Sequence, residues 1–168
     1  MLTKPLSAAF LFLIAFFPGI VGAQQAPDAP IPAQILSAKK IFIAYGGVER
    51  NFLAAADKAN ADYQPTRTYN ELYAAIKTWG QYEIVSAPAD CDVVLQVSTR
   101  YLVRELAAPQ LTVTIIDPRT HITLWSVTEY TQGAGRQKNR EKNYEAAMAA
   151  LIADLKSLVS SSTANPAK

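Results

Sequence analysis

The sequence predicts an α+β two-layer sandwich, with a mainly antiparallel sheet of four to five strands and two helices packed on one face. Three observations carry that prediction. Leu111–Ile116 and Ile122–Tyr130 are β-type runs joined by Asp117-Pro118-Arg119-Thr120, which reads as a hairpin. Two stretches, opening at Thr68 and at Asn139, repeat apolar residues at spacings of three and four. The other β-type runs are short, bounded by turn residues, and show no internal repeat.

The elements follow in chain order. Ile41–Tyr45 is a continuous apolar and aromatic run that stops at Gly46-Gly47, as a buried strand does. Between Val48 and Thr66 the pattern is weakest: Phe52–Ala56 suits a short helix and Asp57–Arg67 a loop. Thr68-Tyr69-Asn70-Glu71 has the form of a capping box, opening a helix whose stripe is Tyr69, Leu72, Tyr73, Ile76 and Trp79. Gly80 stands where a left-handed helix cap belongs.

Tyr82–Ser86 reads as a short strand, and Ala87–Asp90 as a turn. In Val93–Leu102, Val93, Leu95, Val97, Thr99 and Tyr101 alternate with Gln96, Ser98 and Arg100, the period of a strand with one wetter face. Arg104–Pro109 links it to the hairpin, whose Asp-Pro start calls for a type I turn. Thr131–Lys138 reads as a flexible glycine-bearing loop. Asn139 then caps a last helix to about Val159, with Tyr144, Ala147, Met148, Leu151, Ile152, Leu155, Leu158 and Val159 on its apolar face.

The ends of the chain speak to its destination. Lys4, an apolar run from Leu6 to Phe17, a Pro18-Gly19 break and the small residues Val21, Gly22 and Ala23 follow the grammar of a secretory signal peptide. The run is too short for a transmembrane helix, which needs about 20 apolar residues. The expected organisation is a signal peptide over 1–23 cleaved near Ala23-Gln24, a proline-rich arm over 24–38, one domain over 39–159 and a flexible tail over 160–168. Such a chain is periplasmic or extracellular. The lone cysteine, Cys91, is far from the cleavage junction, so no lipid anchor is expected there.

Without Lys4 the chain carries 15 basic against 14 acidic residues, a balance that gives no electrostatic case for nucleic acid or an anionic membrane. One cysteine makes no internal disulfide, and Asp90 and Asp92 beside it disfavour a reactive thiolate. Cys91 therefore reads as a small packed residue. The single histidine, His121, follows the hairpin turn and reads as an exposed or cross-strand residue. No clustered metal ligands, G-x-S-x-G motif or phosphate-binding glycine loop is present, and no cofactor is expected. Arg136, Lys138 and Arg140, with Lys142, sit at a helix N-terminus where the macrodipole disfavours them. They are the candidate partner-binding residues. The aromatic residues, including Trp79, Trp125, Tyr73 and Tyr130, read as core.

The hairpin stretch LTVTIIDPRTHITLW resembles the strand, D-P-x-T turn and L-W strand of small exported bacterial proteins of unknown function, several of them lipoproteins. The strand entry Pro88–Leu95 and the closing helix NYEAAMAALIADLKSL are similar too. The resemblance spans Lys39 to Val159 apart from 48–66. It implies an α/β envelope domain, distantly similar to periplasmic assembly and activator domains, without an active site to carry over. The chain departs from the lipoprotein members in lacking a lipidated cysteine.

The function expected from these readings is that of a non-enzymatic envelope domain, not an enzyme, acting on another envelope protein through an exposed sheet edge or the 133–142 loop. The alternative is a small-molecule or polysaccharide binder using outward Tyr and Trp side chains, favoured by exposure of Trp79 or Trp125. A hydrolase built on carboxylates or on Cys91 and His121 stands third.

Overall fold

The computed structural model describes residues 29–50, 66–101 and 108–160. The expected signal segment, the expected Phe52–Ala56 helix and most of the expected tail lie outside the described residues. Five strands form one sheet in the order β2-β1-β3-β4-β5. They are β1 (Lys40–Arg50), β2 (Glu83–Ile84), β3 (Val93–Tyr101), β4 (Pro109–Ile116) and β5 (Thr123–Tyr130). Among the described residues three α-helices accompany them: α1 (Ala33–Ser37), α2 (Arg67–Trp79) and α3 (Gln137–Ser160).

The architecture is the expected α+β pair of layers, and the sheet is mixed. β1 runs parallel to β2 and β3, while β3–β4 and β4–β5 are antiparallel. The reason lies in α2, which carries the chain from β1 back to the start of its neighbours, a crossover that sets strands parallel. Ile41, Ile43, Leu95, Val97, Val113 and Ile115 project from one sheet face and are buried against Leu72 and Ile76 of α2 and Leu151 and Leu155 of α3. The alternation read along β3 is observed, with Val93, Leu95, Val97 and Thr99 all buried.

Several local expectations are corrected. The end of the segment read as a proline-rich arm forms α1, whose Ile35 is only 2% exposed. Asp92 holds it in place, its carboxylate accepting the Lys39 and Lys40 amides at 2.8 and 2.9 Å while its carbonyl accepts Gln34 Nε2 at 3.0 Å. Gly46-Gly47 does not end β1. The register shifts between Tyr45 and Val48, so the glycines form a bulge inside a longer strand. Gly47 has φ +89, and a Cβ on Gly46 would lie 2.8 Å from Gln96 Nε2 and 3.0 Å from the Val97 carbonyl.

The capping box does not form. The N-cap of α2 is Thr66, without a side-chain cap hydrogen bond. Thr68 is instead buried, and its hydroxyl lies 2.8 Å from Thr99 Oγ1 and 2.9 Å from the Tyr144 hydroxyl. Arg67, expected in a loop, opens the helix and joins it to α3. Its guanidinium donates to Glu141 at 2.8 and 2.6 Å and to Glu71 at 2.6 Å, and stacks 4.0 Å above the Tyr144 ring. These bonds hold the Arg67 pKa above its ordinary value. At the other end of α2, Gly80 takes the expected left-handed conformation, its amide donating to Ile76.

The hairpin is as expected, but its turn is wider. The His121 amide donates to the Asp117 carbonyl at 2.9 Å, four residues apart, and His121 itself has φ 58. Asp117 supplies the predicted side-chain acceptor, taking the Arg119 amide and the Thr120 hydroxyl, each at 2.9 Å.

Candidate interaction surface

The two edges of the sheet differ. β2 is two residues long and is followed by a 3-10 turn over Pro88–Asp90, so that edge offers little to pair with. β5 is eight residues long and, among the described residues, pairs on one side only, with β4. Its outward groups follow from one bond: the Thr131 amide donates to the Pro109 carbonyl at 3.0 Å. Antiparallel partners alternate between bonded and non-bonded pairs. Glu129 and Val127 are therefore turned toward β4, and Tyr130, Thr128 and Ser126 present N–H and C=O to the open side. Among the described residues no backbone group pairs with them.

The strand itself, Thr-Leu-Trp-Ser-Val-Thr-Glu-Tyr, has β-branched and aromatic residues, no proline or glycine, and one charge. That charge, Glu129, faces the Asp154 carboxylate of α3, and partial burial followed by that like charge raises its pKa. Exposed apolar side chains stand at both ends: Ile122 is 61% and Tyr130 is 64% exposed. This corrects the reading of Tyr130 as core.

The basic loop lies just beyond β5. Arg136 and Lys138 are exposed, as is Lys142. Arg140 separates from them, because its Nη1 turns back to the Gly135 carbonyl at 3.1 Å and the Ala134 carbonyl at 3.4 Å. With Asn143 Nδ2 donating to the Gln132 carbonyl at 2.9 Å, the loop is braced on the helix that follows it. The helix-opening cations thus divide, Arg140 to the loop backbone and Arg136 and Lys138 to solvent.

Cys91 and His121 line one open cleft of about 650 Å³ with Gln34, Ser37, Asp90 and Arg119. The chemistry there is unpromising. The Cys91 thiol donates to the Pro88 carbonyl at 3.1 Å, and burial first, then Asp92 and Asp90, pushes its pKa up. His121 is exposed, and its backbone amide closes the turn. Among the described residues no group of three or more His, Cys, Asp or Glu side chains is placed to hold a metal ion.

A separate aromatic patch joins β1 to α2. Tyr45 is 45% and Tyr73 37% exposed, with Tyr69 edge-on to Tyr45 at 6.5 Å and tilted against Tyr73 at 6.3 Å. Tyr73 thus leaves the core stripe assigned to it. Trp79 and Trp125 are half-buried and pack against the core.

No protein-family model matches the chain, and no curated protein sequence matches it. Solved structures do. A PelC dodecamer from Paraburkholderia phytofirmans is 17% identical with a TM-score of 0.41, over 75% of this chain and 91% of that one. An uncharacterized lipoprotein B from Nitrosomonas europaea is 12% identical with a TM-score of 0.40, over 81% of this chain and 93% of that one. The LpoB C-terminal domain from Salmonella enterica is 17% identical with a TM-score of 0.39, over 56% of this chain and 84% of that one. The chain is similar to lipoprotein-like envelope proteins at low identity, as the hairpin motif implied. Likenesses at this level concern coarse architecture and assign no function.

Proposed function

We propose that this chain is an exported, non-enzymatic envelope domain that acts by binding another protein. Its working surface is the open edge of β5 with the exposed Arg136 and Lys138 beside it. The observation that carries the reading is the unequal treatment of the two edges. Natural sheets protect their edges with short strands, proline, bulges or charge, since an open edge recruits any passing strand. Here one edge is short, whereas the other leaves the outward amides of Ser126, Thr128 and Tyr130 unpaired among the described residues. A partner strand laid along β5 completes the ladder by β-augmentation. Export through the Leu6–Phe17 signal and the absence of catalysis belong to the same proposal.

The test is photo-crosslinking in the cell envelope. A photoreactive residue at Ser126 or at Tyr130 is expected to give a discrete protein adduct, and one at Lys77 on the far side of α2 is not. Adducts at Lys77 with none at β5 would end the reading. A glycan or small-molecule site has one observation in its favour, the outward Tyr45–Tyr69–Tyr73 patch. Binding in a glycan screen that Tyr45→Ala abolishes would support it.

A further inference from the structure

We infer that the chain forms a two-fold dimer through antiparallel β5–β5 pairing centred on Val127. This rests on the reading of β5 as the contact edge and names its occupant, a second copy. Three features of the strand agree on it.

The first is register. With Val127 on the axis, Ser126 lies opposite Thr128 of the second copy, and Thr128 opposite its Ser126. Both present their backbone groups outward, so each pair exchanges two hydrogen bonds, and Val127 meets its copy in the non-bonded position where side chains come closest. The rows already in the sheet then run on across the seam. Val97, Val113 and Val127 are in register on the helix side, and Ser98, Thr112 and Thr128 on the other. The valine row continues into the second copy's Val127, and the hydroxyl row into its Ser126 and Thr114.

The second is charge. Glu129 is the one charged residue of β5, and this register sets it opposite Trp125 rather than its own copy. Centring on Thr128 would set Glu129 against Val127, and centring on Ser126 would bring Thr128 against the irregularity where the ladder shifts between Ile115 and Ile116.

The third is the pair of exposed ends. Ile122 and Tyr130, 61% and 64% exposed, stand at opposite ends of β5, and a two-fold axis lays each end beside the other. The flank of α3 beside β5 is marked by Asp154, which faces Glu129. One turn to either side that flank carries Ala150 and Ser157, both small.

The experiment is sedimentation equilibrium of the exported chain from dilute to concentrated solution. The expected result is a dimer that dissociates on dilution. Ser126→Pro removes an outward N–H that the monomer does not use, a place where an edge strand tolerates proline. It is expected to give a monomer with an unchanged circular dichroism spectrum. Should that variant misfold, Val127→Cys in a Cys91→Ser background tests the register independently. Non-bonded antiparallel pairs hold Cα atoms about 4.5 Å apart, within disulfide reach, so oxidation should link the two copies at Val127→Cys and not at Tyr130→Cys. A monomer at every concentration, or a dimer unaffected by Ser126→Pro and not linked at Val127→Cys, overturns the inference. A monomer that still crosslinks from Ser126 to a different envelope protein overturns the inference and leaves the β5 edge standing as the contact surface.

Discussion

Removing the Arg67 guanidinium tests whether the two helices are joined by the bonds seen between them. The Arg67 side chain is 19% exposed, and its partners Glu71 and Glu141 are 36% and 45% exposed. Solvent therefore screens the carboxylate side, and each ion pair contributes about 0.5–1 kcal/mol. The stack on Tyr144 adds about 0.5–1 kcal/mol. Arg67→Ala loses both pairs and the stack and leaves two carboxylates facing each other, a destabilisation of about 2 kcal/mol. For a domain of this size that lowers Tm by about 6–10 °C. The assay is urea and thermal unfolding followed by circular dichroism, with Glu141→Ala and the double variant closing a cycle. A coupling energy of about 1 kcal/mol is expected between Arg67 and Glu141. Coupling below about 0.3 kcal/mol would show that the bidentate geometry contributes nothing and that α2 and α3 are held by packing alone.

Three further outcomes are expected. Thr68→Val keeps the shape but leaves the Tyr144 hydroxyl, whose pKa burial has pushed up to about 12, without its partner; a loss of about 1–3 kcal/mol is expected in urea unfolding, against almost none for Thr66→Ala. Gly46→Ala places a Cβ 3.0 Å from the Val97 carbonyl, which as backbone cannot yield as the Gln96 side chain can; about 1–2 kcal/mol is lost, measurable as a lowered urea midpoint. The Lys40 amide first and the Lys39 amide second hold the Asp92 carboxyl below the usual carboxylate range. A depressed folded pKa stabilises above the unfolded value and ceases to do so as pH falls through the folded one. Asp92→Asn should therefore lower the neutral plateau of a stability–pH curve, leave the stability at low pH almost unchanged, and so flatten the acid limb.

What the sequence disclosed was set by how local the cause of each element is. Gly80 ends α2 because a left-handed cap needs only its own backbone. The alternation in Val93–Thr99 reports the two faces of β3 directly. Thr68 misled because the capping-box pattern is local while its hydroxyl answers to Thr99 and Tyr144, 31 and 76 residues away. Gly46-Gly47 looked like a stop because a bulge and a strand end use the same residues. The parallel pairing of β1 is likewise a matter of how α2 crosses, which no window of residues contains.

The contact surface was only half legible. Arg136, Lys138 and Arg140 were singled out together by spacing, but Arg140 is drawn back by the Gly135 carbonyl, a contact that depends on the loop's path. The proposed class of site, a sheet edge, is readable from the β-type runs of the sequence. Which edge is open follows from the strand order and from the Thr131–Pro109 bond that fixes the direction of each outward amide.

The central claim is that protein occupies the β5 edge, and residue-resolved amide exchange tests it most directly. In a concentrated solution of the chain, or with envelope extract added, the amides of Ser126, Thr128 and Tyr130 should exchange as slowly as those of Val127 and Glu129. On dilution without extract they should become fast while the other two stay protected. Rapid exchange of all three outward amides under every condition would contradict the account.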